Sequence, residues 1–287
     1  MQFLHFLRML NTAGGNYSKL LRREIELYHQ MPKDMIKVAP TLIFSALPFA
    51  LYFVLPLVYA LPKQLLTSHF WTPEQREQFQ IAYLKDRLLH NRQVFRLDAV
   101  VDFQALNYSC FRHLQSQINF LKHDKKNKDL FEKWAKILGL IGSGIQPSIE
   151  EILACKELFM DEPYHLLYLS RNHIFHLLRM HSIHAGWFRR TRLADRAQIL
   201  IEMDKAIMRE GGVHNLPLKA LSQACFIRGL NPTNVKPEDQ IRWLTQWIRI
   251  SNQIDKDSLS LLLHCPILLG YNEPSNWMLI YPKKSET

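Results

Sequence analysis

Five histidines crowd one stretch of this 287-residue chain: His165, His173, His176, His181 and His184. Neutral imidazole is a common metal ligand, and His173/His176 and His181/His184 each share a helical face. A site also needs a third clustered ligand or a carboxylate. Arg171 and Arg179 intervene instead, and no acid falls between Glu162 and Asp195. The expectation is solvated or interfacial histidines and no metal. Nucleophilic chemistry has no better support, because GxSxG, HExxH and P-loop motifs are absent. Cys110, Cys155, Cys225 and Cys265 are widely separated and sit among apolar neighbours. They read as buried free thiols, not as a disulfide scaffold or a zinc site. Asp255-Lys256-Asp257 begins like a calcium loop. Leu259, Ser260 and Pro266 then fall where an oxygen ligand, the sharp-turn glycine and a bidentate Glu are required. No enzyme, no cofactor and no small-molecule substrate is expected.

The remaining chemistry is that of binding. Trp187-Phe188-Arg189-Arg190-Thr191-Arg192, with Arg196 one turn on, joins aromatic to basic residues. Such groups stack on bases and contact phosphates. The competing arrangement is a helix junction with Trp187 and Phe188 buried, which we favour for the aromatics, leaving the arginines as candidates. Lys122, Lys125, Lys126, Lys128, Lys133 and Lys136 form a second basic stretch. The net charge of +10 and pI near 9.4 suit RNA, DNA or anionic lipid, or reflect only a mitochondrial or membrane-adjacent bias.

The elements that must position these groups read as helices throughout. Val38 to Pro62 holds no charged residue and no His, Asn or Gln, and Lys37 and Lys63 bracket it. As one helix its 25 residues would reach about 37 Å, enough to cross a bilayer core of about 30 Å with tilt or a kink at Pro48 and Pro56. Residues 1–37 form a basic N-terminal segment whose first 23 residues contain no acid, like a short presequence. Residues 63–287 form an all-α domain of antiparallel pairs. Thr72-Pro73-Glu74-Gln75 starts one helix and Ser148 caps another. Residues 98–122 make a separate helix, and Gly139, Gly142 and Gly144 mark a loop. Leu218 to Arg228 and Pro237 to Ser251 form a helical hairpin. Gly229 suits its left-handed cap, and Leu221 and Trp247 lie on its inner face. Charge does not orient the chain: residues 8–37 carry six Lys/Arg against three acids, and residues 63–92 carry five against three.

The run Leu218-Lys219-Ala220-Leu221-Ser222-Gln223-Ala224-Cys225-Phe226-Ile227-Arg228-Gly229-Leu230 resembles the core motif of the Letm family, named for its leucine-zipper and EF-hand transmembrane members. Leu244-Thr245-Gln246-Trp247, Ser258-Leu259-Ser260-Leu261-Leu262-Leu263 and Leu61-Pro62-Lys63-Gln64-Leu65-Leu66 extend the likeness. It is strongest to the family's short form, without the EF-hand and C-terminal coiled coil. The resemblance implies a single-pass protein of the mitochondrial inner membrane with a 14-3-3-like ribosome-binding domain in the matrix, and it adds Arg228 to the candidates. The partners so implied are the mitochondrial ribosome, through rRNA or ribosomal protein, the lipid bilayer and a further copy of the chain. The family's founding members are also argued to exchange cations for protons, so a subunit of such an exchange system is the alternative. The long members place an acid between the two span prolines, whereas Pro48 to Pro56 here has none.

Overall fold

The computed structural model describes Tyr17, residues 20–45, Phe49 and residues 51–67, 70–111 and 125–280. All regular structure among the described residues is helical. Helix α1 (Arg22–Ser45) does not begin as a free basic segment. Ile25 is fully buried and packs with Leu20 against Met203 and Ala206. The Arg22 amide donates to Glu210 at 2.5 Å, Arg209 donates to the Leu20 carbonyl at 2.8 Å, and Gln223 donates to Glu26. The start of α1 is therefore part of the C-terminal domain, contrary to the expected boundary at residue 37.

The apolar run is also not the single 38–62 helix that its length suggests. It is divided between the end of α1, helix α2 (Leu51–Ala60) and a short α3 (Pro62–Leu65). Phe49 adopts φ +64°, which ends a helix, and Pro48 beside it lies outside the described residues. Pro56 is accommodated inside α2. Helix α1 packs against both α2 and α3. Lys37 Nζ sits 4.9 Å from the centroid of Trp71, whose indole donates to the Pro62 carbonyl at 3.1 Å. The two ends of the run thus meet, where a straight helix would hold them about 37 Å apart. No helix among the described residues is long and apolar enough to cross a membrane.

Thr72 and Gln75 form a reciprocal cap for α4 (Pro73–Phe111). Where two helices are expected, α4 runs unbroken to Phe111. The glycine loop is corrected too. Helix α5 (Lys125–Gly142) continues through Gly139, and the chain turns only at Gly144, with φ +82°. Trp134, Ile137, Leu138 and Ile141 are buried on one face of α5. Their burial, each about 1.5–3 kcal/mol, outweighs the cost of about 1 kcal/mol for a helical glycine. Helix α6 (Ile149–Ala154) carries the Ser148/Glu151 capping box, and α7 (Arg171–Met180) packs along α4. Helix α8 (Arg189–Arg209) precedes the hairpin of α9 (Leu218–Arg228) and α10 (Pro237–Ser251). Gly229 closes α9 at φ +105°, and a Cβ there would meet Pro266 at 3.0 Å, so glycine is needed twice over. Helix α11 (Leu259–Gly270), buried from Ser260 onward, runs beneath, and Asn276 of α12 (Pro274–Ile280) donates to the Gly229 and Gly270 carbonyls.

Leu221 and Trp247 are buried, as their spacing predicts. Trp247 does more than fill space: its indole donates at 3.1 Å to the Asp204 carboxylate, which also receives Arg228. Trp247→Ala should cost about 3–5 kcal/mol through lost packing. Asp204→Ala should cost a similar amount by leaving Arg228 buried and unpaired. Thermal unfolding of the purified chain checks both, and an unchanged midpoint for either would contradict this packing.

Candidate functional site

The expected basic surface divides into exposed and internal parts. Trp187 is 86% exposed and Phe188 77%, so the favoured burial of these aromatics is corrected. Phe188 stands at the start of α8 with φ +54°, a left-handed conformation that is costly for a bulky side chain. The loop is held by its own arginines. The Arg190 guanidinium donates to the Leu166 and Leu169 carbonyls at 3.0 and 2.9 Å. Arg192 bonds the His184 carbonyl and ring nitrogen at 2.9 and 2.8 Å, and Arg189 donates to the Gly186 carbonyl. Arg190 is half-buried and committed to these carbonyls. Arg189 is exposed beside the two exposed rings, with half-buried Arg192 next to it, an edge able to stack on a base and pair with a phosphate. Lys125, Lys126 and Lys128 fall at the start of α5, and their side chains lie outside the described residues. The kink assigned to Pro48 lies outside them as well.

Two of the expected partner-facing arginines are internal. Arg228 is fully buried: Nε and Nη2 donate to Asp204 Oδ1 at 3.1 and 2.5 Å, and Nη1 donates to the Ala224 carbonyl at 2.8 Å. Arg196 donates to the Ile227 carbonyl, and burial together with neighbouring Arg228 holds it down to about 10. Sequence reasoning missed Arg87, which is 4% exposed. It donates to the Met180, Phe226 and Ile227 carbonyls at 2.8, 2.7 and 3.0 Å. Arg87 and Arg196 therefore cap the negative ends of α7 and α9. Burial, then Arg196, lowers Arg87 to about 9. A signal existed: Leu84, Leu88 and Val94 share an apolar stripe of α4, and Arg87 interrupts it.

The histidines are also more internal than expected. His173 and His181 are buried. His181 Nε2 lies 2.9 Å from the Leu263 carbonyl, and burial, then nearby Arg196, lowers its pKa to about 3. His173 is lowered to about 4 by burial, partly offset by Asp98. His176 meets His90 at 2.8 Å. The fold brings His173 together with two residues distant in sequence. Its Nε2 is 3.0 Å from His264 Nε2 and 3.4 Å from Asp98 Oδ1. These three residues place donor atoms within 4.8 Å of one another, a spacing that a metal ion could bridge. A proton assignment also serves. His264 Nδ1 lies 2.6 Å from the Ser260 carbonyl, so it carries the hydrogen and Nε2 accepts from His173. Asp98 Oδ1 is then left without a well-formed hydrogen bond.

Two buried neutral histidines tie stability to pH. Unfolding raises their pKa values from about 4 and about 3 towards 6.5, so the unfolded chain binds more protons below 6.5. Stability is complete above pH 6.5 and is lost as pH falls towards 4, by about 1.4 kcal/mol per unit for each histidine. Melting of the chain from pH 7.5 to 5 should show this slope, and His181→Asn should reduce it. A flat profile would contradict the burial of these rings.

Comparison with known proteins follows the same residues. The family described as "LETM1-like, RBD" matches residues 20–268, beginning where α1 docks on the domain. The LETM1 domain-containing protein 1 of Xenopus tropicalis is 31% identical over 266 residues, 92% of this chain and 70% of that protein. The human protein of that name is 31% identical over 260 residues, 89% of this chain and 66% of the relative. The LETM1 domain-containing protein mdm28, mitochondrial, of Schizosaccharomyces pombe is 26% identical over 258 residues and matched over half its length. No solved structure matches. The chain belongs to the Letm family, and its family domain runs from the start of α1 to α11.

Proposed function

We propose that the chain is a non-enzymatic mitochondrial protein. It attaches to the matrix face of the inner membrane and docks its helical domain on the mitochondrial ribosome. The carrying observation is the match of residues 20–268 to a family described by "RBD", which we read as ribosome-binding domain. The mitochondrial setting is drawn from the fission yeast relative's name. A 14-3-3-like form for residues 63–287 goes with this reading. The mechanism is tethering: a bilayer anchor raises the local concentration of ribosome and nascent chain at the membrane. The exposed edge of Trp187, Phe188, Arg189 and Arg192 is the docking surface, with Lys125, Lys126 and Lys128 as a second patch.

The edge lies close to the anchor. Lys63, Tyr83, Arg179, Ser182 and His184 line one groove, and Trp187 follows three residues after His184. A ribosome held there stays near the bilayer. Cation–proton exchange has less support, because Val38 to Pro62 carries no ionisable acid.

The test is cosedimentation of the full chain in detergent with mitochondrial ribosomes across a salt series. Affinity should fall steeply with salt, with a log-log slope of about −0.7 per phosphate contact for single strands. Arg189→Glu should weaken binding without lowering the melting temperature, whereas Arg192→Glu also breaks the two bonds to His184 and should lower it. Trp187→Ala should cost about 1–3 kcal/mol if the ring stacks on a base. Arg190→Glu should instead destabilise the fold, because its carbonyl partners are internal. The triple reversal at Lys125, Lys126 and Lys128 ranks the second patch. Salt-insensitive or absent sedimentation would overturn the reading.

A further inference from the structure

We infer that residues 38–61 enter the bilayer from one side as a re-entrant helical hairpin. The segment before it and the whole domain after it then lie on the same face of the membrane. The argument begins with the ends of the run. Lys37 reaches the Trp71 ring at 4.9 Å, and Trp71 is bonded to the Pro62 carbonyl. Before Lys37, α1 is fastened to α8 and α9 through buried Ile25, the Arg22–Glu210 contact and the Arg209–Leu20 contact. A crossing between residues 38 and 62 would pull this docked start of α1 to the far side of the membrane. It would expose Ile25 and strip Glu210 and Arg209 of those partners.

The medium around the hairpin must be apolar. Helix α2 exposes Tyr52, Phe53, Leu55, Leu57 and Tyr59 over roughly 200° of its circumference, and the remaining face carries the equally apolar, half-buried Val54 and Val58. A docked protein would cover one face, whereas a helix apolar on every side fits lipid. The end of α1 adds exposed Leu42, Ile43 and Phe44, and Phe49 lies between the arms, 79% exposed. The lengths fit one leaflet. From Val38 to Ser45 and from Leu51 to Ala60 the arms reach about 12 and 15 Å, half of a hydrocarbon core of about 30 Å. Pro48, between the arms in sequence, has no N–H to leave unsatisfied there.

The base matches a lipid headgroup layer. Lys37 lies over Trp71, and Lys63 Nζ sits 4.5 Å from the centroid of Tyr83, with Phe70 exposed nearby in sequence. Amphipathic aromatics and lysines together mark an interface, and the two ammonium groups favour anionic headgroups. This inference rests on the membrane attachment proposed above and not on the ribosome.

The test adds the full chain, with Cys110→Ser, to preformed vesicles of phosphatidylcholine and cardiolipin. Cys155, Cys225 and Cys265 are buried. Reporter cysteines are placed at exposed Leu21, ahead of the hairpin, and at exposed Lys256, in the domain. After flotation, a membrane-impermeant maleimide should label both without detergent. Phe53→Cys carrying an environment-sensitive fluorophore should be quenched by doxyl lipids and not by aqueous iodide. Labelling of Lys256→Cys with Leu21→Cys reached only after detergent would overturn the hairpin and leave the membrane attachment standing. Failure to float, or iodide quenching at position 53, would overturn both.

Discussion

The Asp204 carboxylate is the constraint on which the domain depends. It is fully buried on α8, receives two nitrogens of Arg228 from α9 and the indole of Trp247 from α10, and so ties three helices at one point. A buried carboxylate is tolerable only if its lone pairs are met and a cation balances it. The remaining nitrogen of Arg228 goes to the Ala224 carbonyl of its own helix, so the pair closes on itself. Once α9 and α10 are fixed this way, Gly229 must turn the chain in the left-handed region against Pro266, and α11 is trapped beneath.

The same logic governs the arginines that a basic composition offers to partners. Arg87 and Arg196 converge on carbonyls at the end of α9, and Arg190 ties the start of α8 to the segment before α7. Helix ends leave carbonyls unmet and carry negative partial charge, so an internal guanidinium satisfies several at once. Net charge therefore overstates the charge available at the surface. Arg189 stays exposed beside Trp187 and Phe188, while Arg192 next to them is bonded to His184.

The helical hairpin, its glycine cap, the Thr72 and Ser148 caps and the core positions of Leu221 and Trp247 were legible because each is a local pattern of three or four residues. Gly139 misled because the apolar stripe of α5 outweighs one poor helix former. Arg228 misled more seriously: a motif arginine reads as a ligand-binding group, and its partner Asp204 is 24 residues away on another helix. The Asp98, His173 and His264 group shows the same limit, because no spacing rule links positions 98 and 264. The apolar run was visible, but its fold was not. Length alone suits a span, and only the contacts of Lys37 and Pro62 with Trp71 show that the two ends of the run meet.

These contacts give a domain locked by Asp204, an apolar α2 packed on the end of α1, and an aromatic–arginine edge that follows His184 of the groove shared with Lys63. That edge as the surface that meets the ribosome is the central claim. A photoreactive benzoylphenylalanine placed at Trp187 in intact mitochondria tests it most directly. The account predicts an ultraviolet-dependent adduct to ribosomal RNA or a ribosomal protein, and an adduct pool holding only lipid or further copies of the chain would contradict it.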